Sequence, residues 1–152
     1  MQIVCKELTL VNIKASNSED VIRQVGKVLY DSGFVKDTYV DAVVEREKIY
    51  PTGLQLKDIG IAMPHTDSEH VHKSGICIAA LTNPITFEHM GMPETKVEAE
   101  IIFMMSILDP GEHIDNLKKL LDVFGSEDVV REFKAAKTQE ELYSVAAKYI
   151  YL

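Results

Sequence analysis

The 152-residue chain predicts an α/β fold in which a mixed β-sheet is sandwiched between layers of α-helix, and three observations predict it. A helical period opens and closes the chain, while the middle changes to alternating or short unbroken apolar runs. No fixed-period repeat, low-complexity tract or Pro/Gly/Ser-rich linker offers a boundary. Two helices, a block of strands and three further helices bury their apolar faces together when the sheet lies between helical layers. The chain therefore reads as one domain over residues 1–152.

Each element has its own signal. An apolar segment over residues 3–13 comes first. In "SNSEDVIRQVGKVLYDSG" a capping box from Ser16 to Glu19 starts a helix, Val21, Val25, Val28 and Leu29 recur at helical spacing, and Gly33 stops it. "KDTYVDAVVEREKIY" gives a second helix with Tyr39, Val43 and Val44 on one side, ended by Pro51 and Gly53. "DIGIAM", "SGICIAAL", "ITFE" and "VEAEIIFMMSIL" read as strands of a largely buried sheet, parted by turns at "TNP" and "MGMP". From Glu112 the helical period returns. Ile114, Leu117, Leu120, Leu121 and Phe124 form one stripe, "SEDVVREFKAAK" a further helix, and "TQEELYSVAAKYI" the last, with a capping box from Thr138 to Glu141.

Composition narrows the function classes. A 46% hydrophobic and 26% charged content is that of an ordinary globular chain and far from the disordered regime. The net charge of −8 comes with scattered lysines and arginines, so there is no footprint for a nucleic-acid backbone or an anionic membrane. The longest nearly uncharged apolar run, "AEIIFMMSIL", is about half of the roughly 20 residues a membrane span needs, so no direct membrane insertion is expected. "MQIVCKEL" lacks the basic end and long apolar stretch of a signal peptide. Two cysteines make no disulfide framework, and Cys77, between Ile76 and Ile78, reads as a reduced core thiol. A cytoplasmic location is expected.

The chemistry-bearing stretch is "IGIAMPHTDSEHVH", with three of the five histidines. Gly60 loosens the strand, and Pro64 keeps Met63 extended while removing a ladder donor, so the strand ends where His65 begins. The carboxyl end of a strand is where ligands bind in open α/β sheets. A neutral imidazole there serves as nucleophile, base or ligand, and a loop histidine bonded locally is the plainer alternative. Arg46, in "VVEREKIYPTG", precedes this strand, and His113, in "DPGEHIDNL", follows another at the start of a helix, whose free N–H groups and dipole favour an anion. Taken singly, "EREK" is only an ion-paired helix face and His113 only a first-turn residue.

Together, "EREKIYPTG", "GIAMPHTDSEHV" and "GEHIDNL" resemble the phosphotransferase-system (PTS) enzyme IIA family of the fructose/mannitol type, in which an Arg precedes a Pro-Thr pair, a Pro-His motif follows a strand and an Glu-His-Ile comes later. The similarity runs over nearly the whole chain. "PTGL" with "PHTD" and the following "HV" resembles the galactitol-specific branch, whereas mannitol and nitrogen-regulatory members more often carry Gly where this chain has Thr66. The resemblance implies a mannitol-type enzyme IIA-like fold and a transient phosphohistidine carrier. His65 would accept the phosphoryl group on its tele nitrogen, with Arg46 and His113 stabilising it. The donor would be HPr and the acceptor a cysteine of the cognate EIIB protein or domain, with no cofactor or metal. The residues themselves leave the ring nitrogen and the acceptor that orients it open, a backbone carbonyl being the expected acceptor.

Other readings compete for the same residues. Within the family, a nitrogen-type regulatory phospho-switch would use the same His65 chemistry. His65, Asp67, Glu69, His70 and His72 also read as the patch of a metal-dependent hydrolase, although the spacing matches no zinc signature. Asp67, Glu69 and His70 would otherwise shape the docking surface around His65. His89 reads as a turn residue, Met104 and Met105 as buried strand, and Met90 and Met92 as loop packing more than as partner contacts. An inert binding module is the remaining alternative.

Overall fold

The computed structural model describes residues 4–150, with the side chains of residues 110, 113 and 114 left aside. Strand β1 (Val4–Ile13) leads into helices α1 (Ser18–Asp31) and α2 (Tyr39–Ile49). Two three-residue strands follow, β2 (Gly53–Gln55) and β3 (Gly60–Ala62), and then two long ones, β4 (Gly75–His89) and β5 (Met92–Ser106). Helices α3 (Pro110–Val123), α4 (Glu127–Ala135) and α5 (Gln139–Tyr149) complete the described chain. The sheet is mixed. β1 runs parallel to β4 and β3 parallel to β5, while β4–β5 and β2–β3 are antiparallel.

Because side chains alternate across a strand, β4 and β5 feed two cores. Ile76, Ile78, Phe103 and Met105 join Leu120, Phe124, Val130, Phe133 and Leu142 on one face. Cys77, Ala79, Ile102 and Met104 join Val21, Ile22, Val25, Leu29, Tyr39 and Val43 on the other. The sheet therefore lies between α1–α2 and α3–α5, as the sequence predicts. Burial pushes the Cys77 thiol up to about 12, which suits a core residue.

Local signals are met with three differences. The first helix is capped one residue later than expected: Asn17 accepts from the Asp20 backbone N–H, and Asp20 reaches back to the Ser16 N–H at 2.9 Å. An amide side chain at N-cap serves as well as a serine hydroxyl, and it shifts the box by one. "TNP" is not a turn. Thr82–Pro84 lie within β4, as a bulge where its register against β5 shifts between Ala80 and Ile85, a position that tolerates proline. β2 was not expected at all, since "GLQ" is too short to show a period. At Thr138 the capping box forms as predicted, its hydroxyl accepting from the Glu141 N–H at 3.1 Å.

Gly60 is required by close approach. A Cβ there would collide with the Glu98 carbonyl oxygen of β5, so only glycine lets β3 lie against its neighbour. That contact fixes where β3 ends, and hence where His65 stands.

Candidate active site

β3 and β5 run the same way, Ala62 opposite Ile102, so the chain leaving β3 and the chain leaving β5 emerge at one end of the sheet. Backbone bonds tie them there: the Met105 N–H donates to the Pro64 carbonyl at 3.2 Å. The next residue after Pro64 is His65, half-buried. The Met105 carbonyl is in turn held by the buried Tyr39 hydroxyl of α2 at 2.6 Å. The proline-ended strand thus delivers His65 to the end of the sheet where β3 and β5 finish, just past the carboxyl end of its own strand, as its sequence predicts.

His65 Nδ1 lies 2.8 Å from the Met63 carbonyl oxygen. A carbonyl only accepts, so Nδ1 carries a proton, and in the neutral ring Nε2 then has the lone pair. The acceptor that the sequence leaves open is this carbonyl, and Pro64 holds it by keeping Met63 extended.

Arg46 comes from the last turn of α2, where its carbonyl accepts from the Tyr50 N–H at 2.7 Å and closes the helix. Its guanidinium lies over the Tyr50 ring, 5.1 Å from the centroid, and Nη1 is 3.8 Å from Asp67 Oδ1. Asp67 is two residues after His65, so Arg46 reaches the segment that carries the imidazole. Its Nε is buried and has no hydrogen-bond partner among the described residues. With Nε buried and Nη1 held only by a long ion pair, the guanidinium keeps its Nη donors available to an anion.

His113 belongs to the first turn of α3, whose backbone follows β5 out of the same sheet end; its side chain lies outside the described residues. Asp109 caps that helix, accepting from the Gly111 N–H at 2.9 Å.

The remaining candidates are fixed by other contacts. Asp67 is exposed and faces Arg46. His70 Nδ1 is 2.8 Å from the Thr38 hydroxyl, and the Glu69 carbonyl accepts from Lys36 Nζ at 2.7 Å, so this short helical turn is clamped to the loop before α2. His72 is exposed. Among the described residues no three His, Cys, Asp or Glu side chains converge to hold a metal ion. His89 ends β4 opposite Met92, beside Gly53 of β2.

Two residues the sequence reading passed over support this site. Glu47, next to Arg46, is not a solvated helix-face residue: its carboxylate accepts from the Thr52 N–H at 2.7 Å and the Thr52 hydroxyl at 2.8 Å. Burial pushes its carboxyl up to about 7; the two Thr52 bonds and Arg46 oppose that rise and Glu88 adds to it. Thr52 is buried and meets the Met63 N–H through both its hydroxyl (3.2 Å) and its carbonyl (3.3 Å). The signal for Glu47 was absent, because "EREK" has the charge pattern of an exposed face.

Comparison with known proteins agrees with this architecture. Over residues 2–149 the chain matches the family described as "Phosphoenolpyruvate-dependent sugar phosphotransferase system, EIIA 2". It is 25% identical over 131 residues to the galactitol-specific EIIA component of Escherichia coli K12, covering 86% of each chain. It is 27% identical over 140 residues to the mannitol-specific enzyme IIA component of Staphylococcus aureus (strain N315), covering 89% of this chain and 88% of the other. The fold matches enzyme IIA of the mannitol system from Escherichia coli, solved in complex with phosphorylated enzyme IIB, with a TM-score of 0.80 at 24% identity over 97% and 99% of the two chains. A match that spans nearly the whole sequence establishes that the chain belongs to the EIIA type-2 family of the sugar phosphotransferase system, the phosphotransferases that carry their phosphoryl group on histidine.

Proposed function

We propose that this chain, as one EIIA domain over residues 1–152, takes a phosphoryl group from phosphorylated HPr onto His65 Nε2 and passes it to a cysteine of a cognate EIIB. The pathway substrate is a polyol, galactitol first, which the chain itself never touches. The observation that carries the reading is the Nδ1–H bond of His65 to the Met63 carbonyl at 2.8 Å, since it leaves the lone pair on Nε2. The Nε2–P bond forms as the donor's P–N bond breaks, and it breaks in turn as the EIIB thiolate forms its S–P bond.

Such transfers pass through a loose transition state with charge over three equatorial oxygens, so the protein's part is positioning and neutralisation. Arg46 supplies a fork for those oxygens and His113 a ring N–H. Galactitol is favoured by "PTGL" and by Thr66 after the Pro-His pair, and the relatives named for galactitol and mannitol both support a polyol. The EIIB acceptor is supported by the mannitol complex.

Intact-protein mass spectrometry at neutral or mildly alkaline pH tests the reading, after incubation with phosphoenolpyruvate, enzyme I and HPr. The expected result is the gain of one acid-labile phosphoryl mass by the wild type and none by His65→Ala. No gain by the wild type, with HPr shown to be phosphorylated, overturns it.

A further inference from the structure

The contacts behind His65 form a continuous chain that starts on α2. Glu47 accepts both the N–H and the hydroxyl of Thr52, at 2.7 and 2.8 Å. Thr52 uses the lone pairs of that hydroxyl and of its carbonyl to hold the Met63 N–H, at 3.2 and 3.3 Å. The Met63 carbonyl accepts the His65 Nδ1 proton at 2.8 Å. We propose that Glu47 and Thr52 are positioning residues for phosphoryl transfer, setting the tautomer and aim of His65 through the backbone of Met63. This rests on the phosphoryl-carrier reading of His65.

The physical case is that a carbonyl orients an imidazole only as firmly as its own residue is held. Met63 has two soft dihedrals. Pro64 confines one of them to extended values, and the bonds from Thr52 to the Met63 N–H constrain the other. Thr52 is able to serve two sides at once because a hydroxyl donates one proton and accepts twice. Its proton goes to Glu47 and its lone pair to Met63, so the carboxylate fixes the direction in which the hydroxyl presents that lone pair. Burying a carboxylate is costly unless it is hydrogen-bonded, and the two Thr52 bonds are what this one receives. Arg46 is the neighbour of Glu47, so one helical turn supplies both the fork for the phosphoryl group and the anchor for the nucleophile.

The test reads the tautomer and the transfer separately. Histidine ring 15N shifts are recorded for the unphosphorylated full chain, and single-turnover transfer from phospho-HPr is timed, for wild type, Thr52→Val, Thr52→Ser and Glu47→Ala. Thr52→Val keeps the shape and removes the hydroxyl. Glu47→Ala cuts the same chain at its other end and removes a partly buried carboxylate, so it reaches the same readouts by a second, independent change. In both, the two His65 15N resonances are expected to move toward each other as the second tautomer is populated. Transfer is expected to slow roughly two- to tenfold, the worth of a lost hydrogen bond. Thr52→Ser is expected to restore both signals.

Slowed transfer with unmoved 15N resonances would make the residues merely structural and overturn the proposal, as would wild-type transfer in Thr52→Val or Glu47→Ala. A wild type that accepts no phosphoryl group while its His65 tautomer follows Thr52 would sink the carrier reading and leave the chain of contacts standing.

Discussion

Arg46 has two anions to choose between. In the unphosphorylated chain its Nη1 is 3.8 Å from Asp67 Oδ1, and a phosphoryl group on His65 would compete for the same fork. Both side chains are partly exposed, so the pair is worth well under the value of a buried one. Asp67→Asn is therefore expected to raise the phosphorylated fraction at equilibrium with phospho-HPr by only about two- to fivefold, which mass spectrometry of the equilibrated mixture measures; an unchanged fraction would remove Asp67 from the account. Arg46→Ala, which deletes a charge-assisted donor, is expected to slow transfer roughly 10- to 100-fold in single-turnover assays. Arg46→Lys should recover only part, because a point charge does not replace a planar fork. An Arg46→Ala chain that transfers at the wild-type rate would end its role. His65 itself was legible in the sequence because Pro64 marks the strand end on its own. Which ring nitrogen holds the proton was not, since that depends on where the Met63 carbonyl points once β3 has docked.

At the scale of elements, helices were easier to read than strands. α1, α4 and α5 announce themselves through caps and apolar stripes, since both are local in sequence. β2 and the bulge at Thr82–Pro84 depend on partners distant in sequence, and nothing local states that β4 continues through "TNP". Glu47 was misread for the same reason: its burial comes from Thr52 folding back over the end of α2, not from helix periodicity. Gly60 shows what such non-local contacts demand. Gly60→Ala would push β3 off the Glu98 carbonyl of β5, at an expected cost of about 1–3 kcal/mol, read as a lower urea midpoint. Because β3 carries His65, the same variant should also slow phosphoryl transfer, and unchanged stability and rate together would refute the close-approach argument. On the opposite face Phe124 packs between Phe103 and Phe133, ring centroids 5.1 and 4.9 Å away. Phe133→Ala is expected to cost about 3–5 kcal/mol while leaving transfer by the folded fraction intact, which separates the α3–α5 core from the site.

On the scale of the molecule, the sheet divides two helical layers, and the site stands at the end where both reach it. α2 brings Arg46 and Glu47 from one layer, and α3 begins from the other. Placing Glu47 there has a cost that pH should reveal. Its carboxyl is raised from 4.5 to about 7 by burial, against the opposing pull of the Thr52 bonds and of Arg46 and with Glu88 adding to the rise. Between those two values the folded chain holds a proton that the unfolded chain has released. Stability from this group is therefore full below pH 4.5, is lost as pH rises toward 7, and changes little beyond. The swing is on the order of 3 kcal/mol. Glu47→Gln does not titrate, and its amide is able to accept from the Thr52 N–H while donating to the Thr52 hydroxyl. Denaturant unfolding of both proteins from pH 4.5 to 8 isolates the effect, because every other titrating group is common to them. The gap between the curves should move in favour of the glutamine variant as pH rises through the window and hold steady above it. Parallel curves would mean that Glu47 ionises at an ordinary carboxylate value, and that the end of α2 is more open to water than its packing against Thr52 indicates.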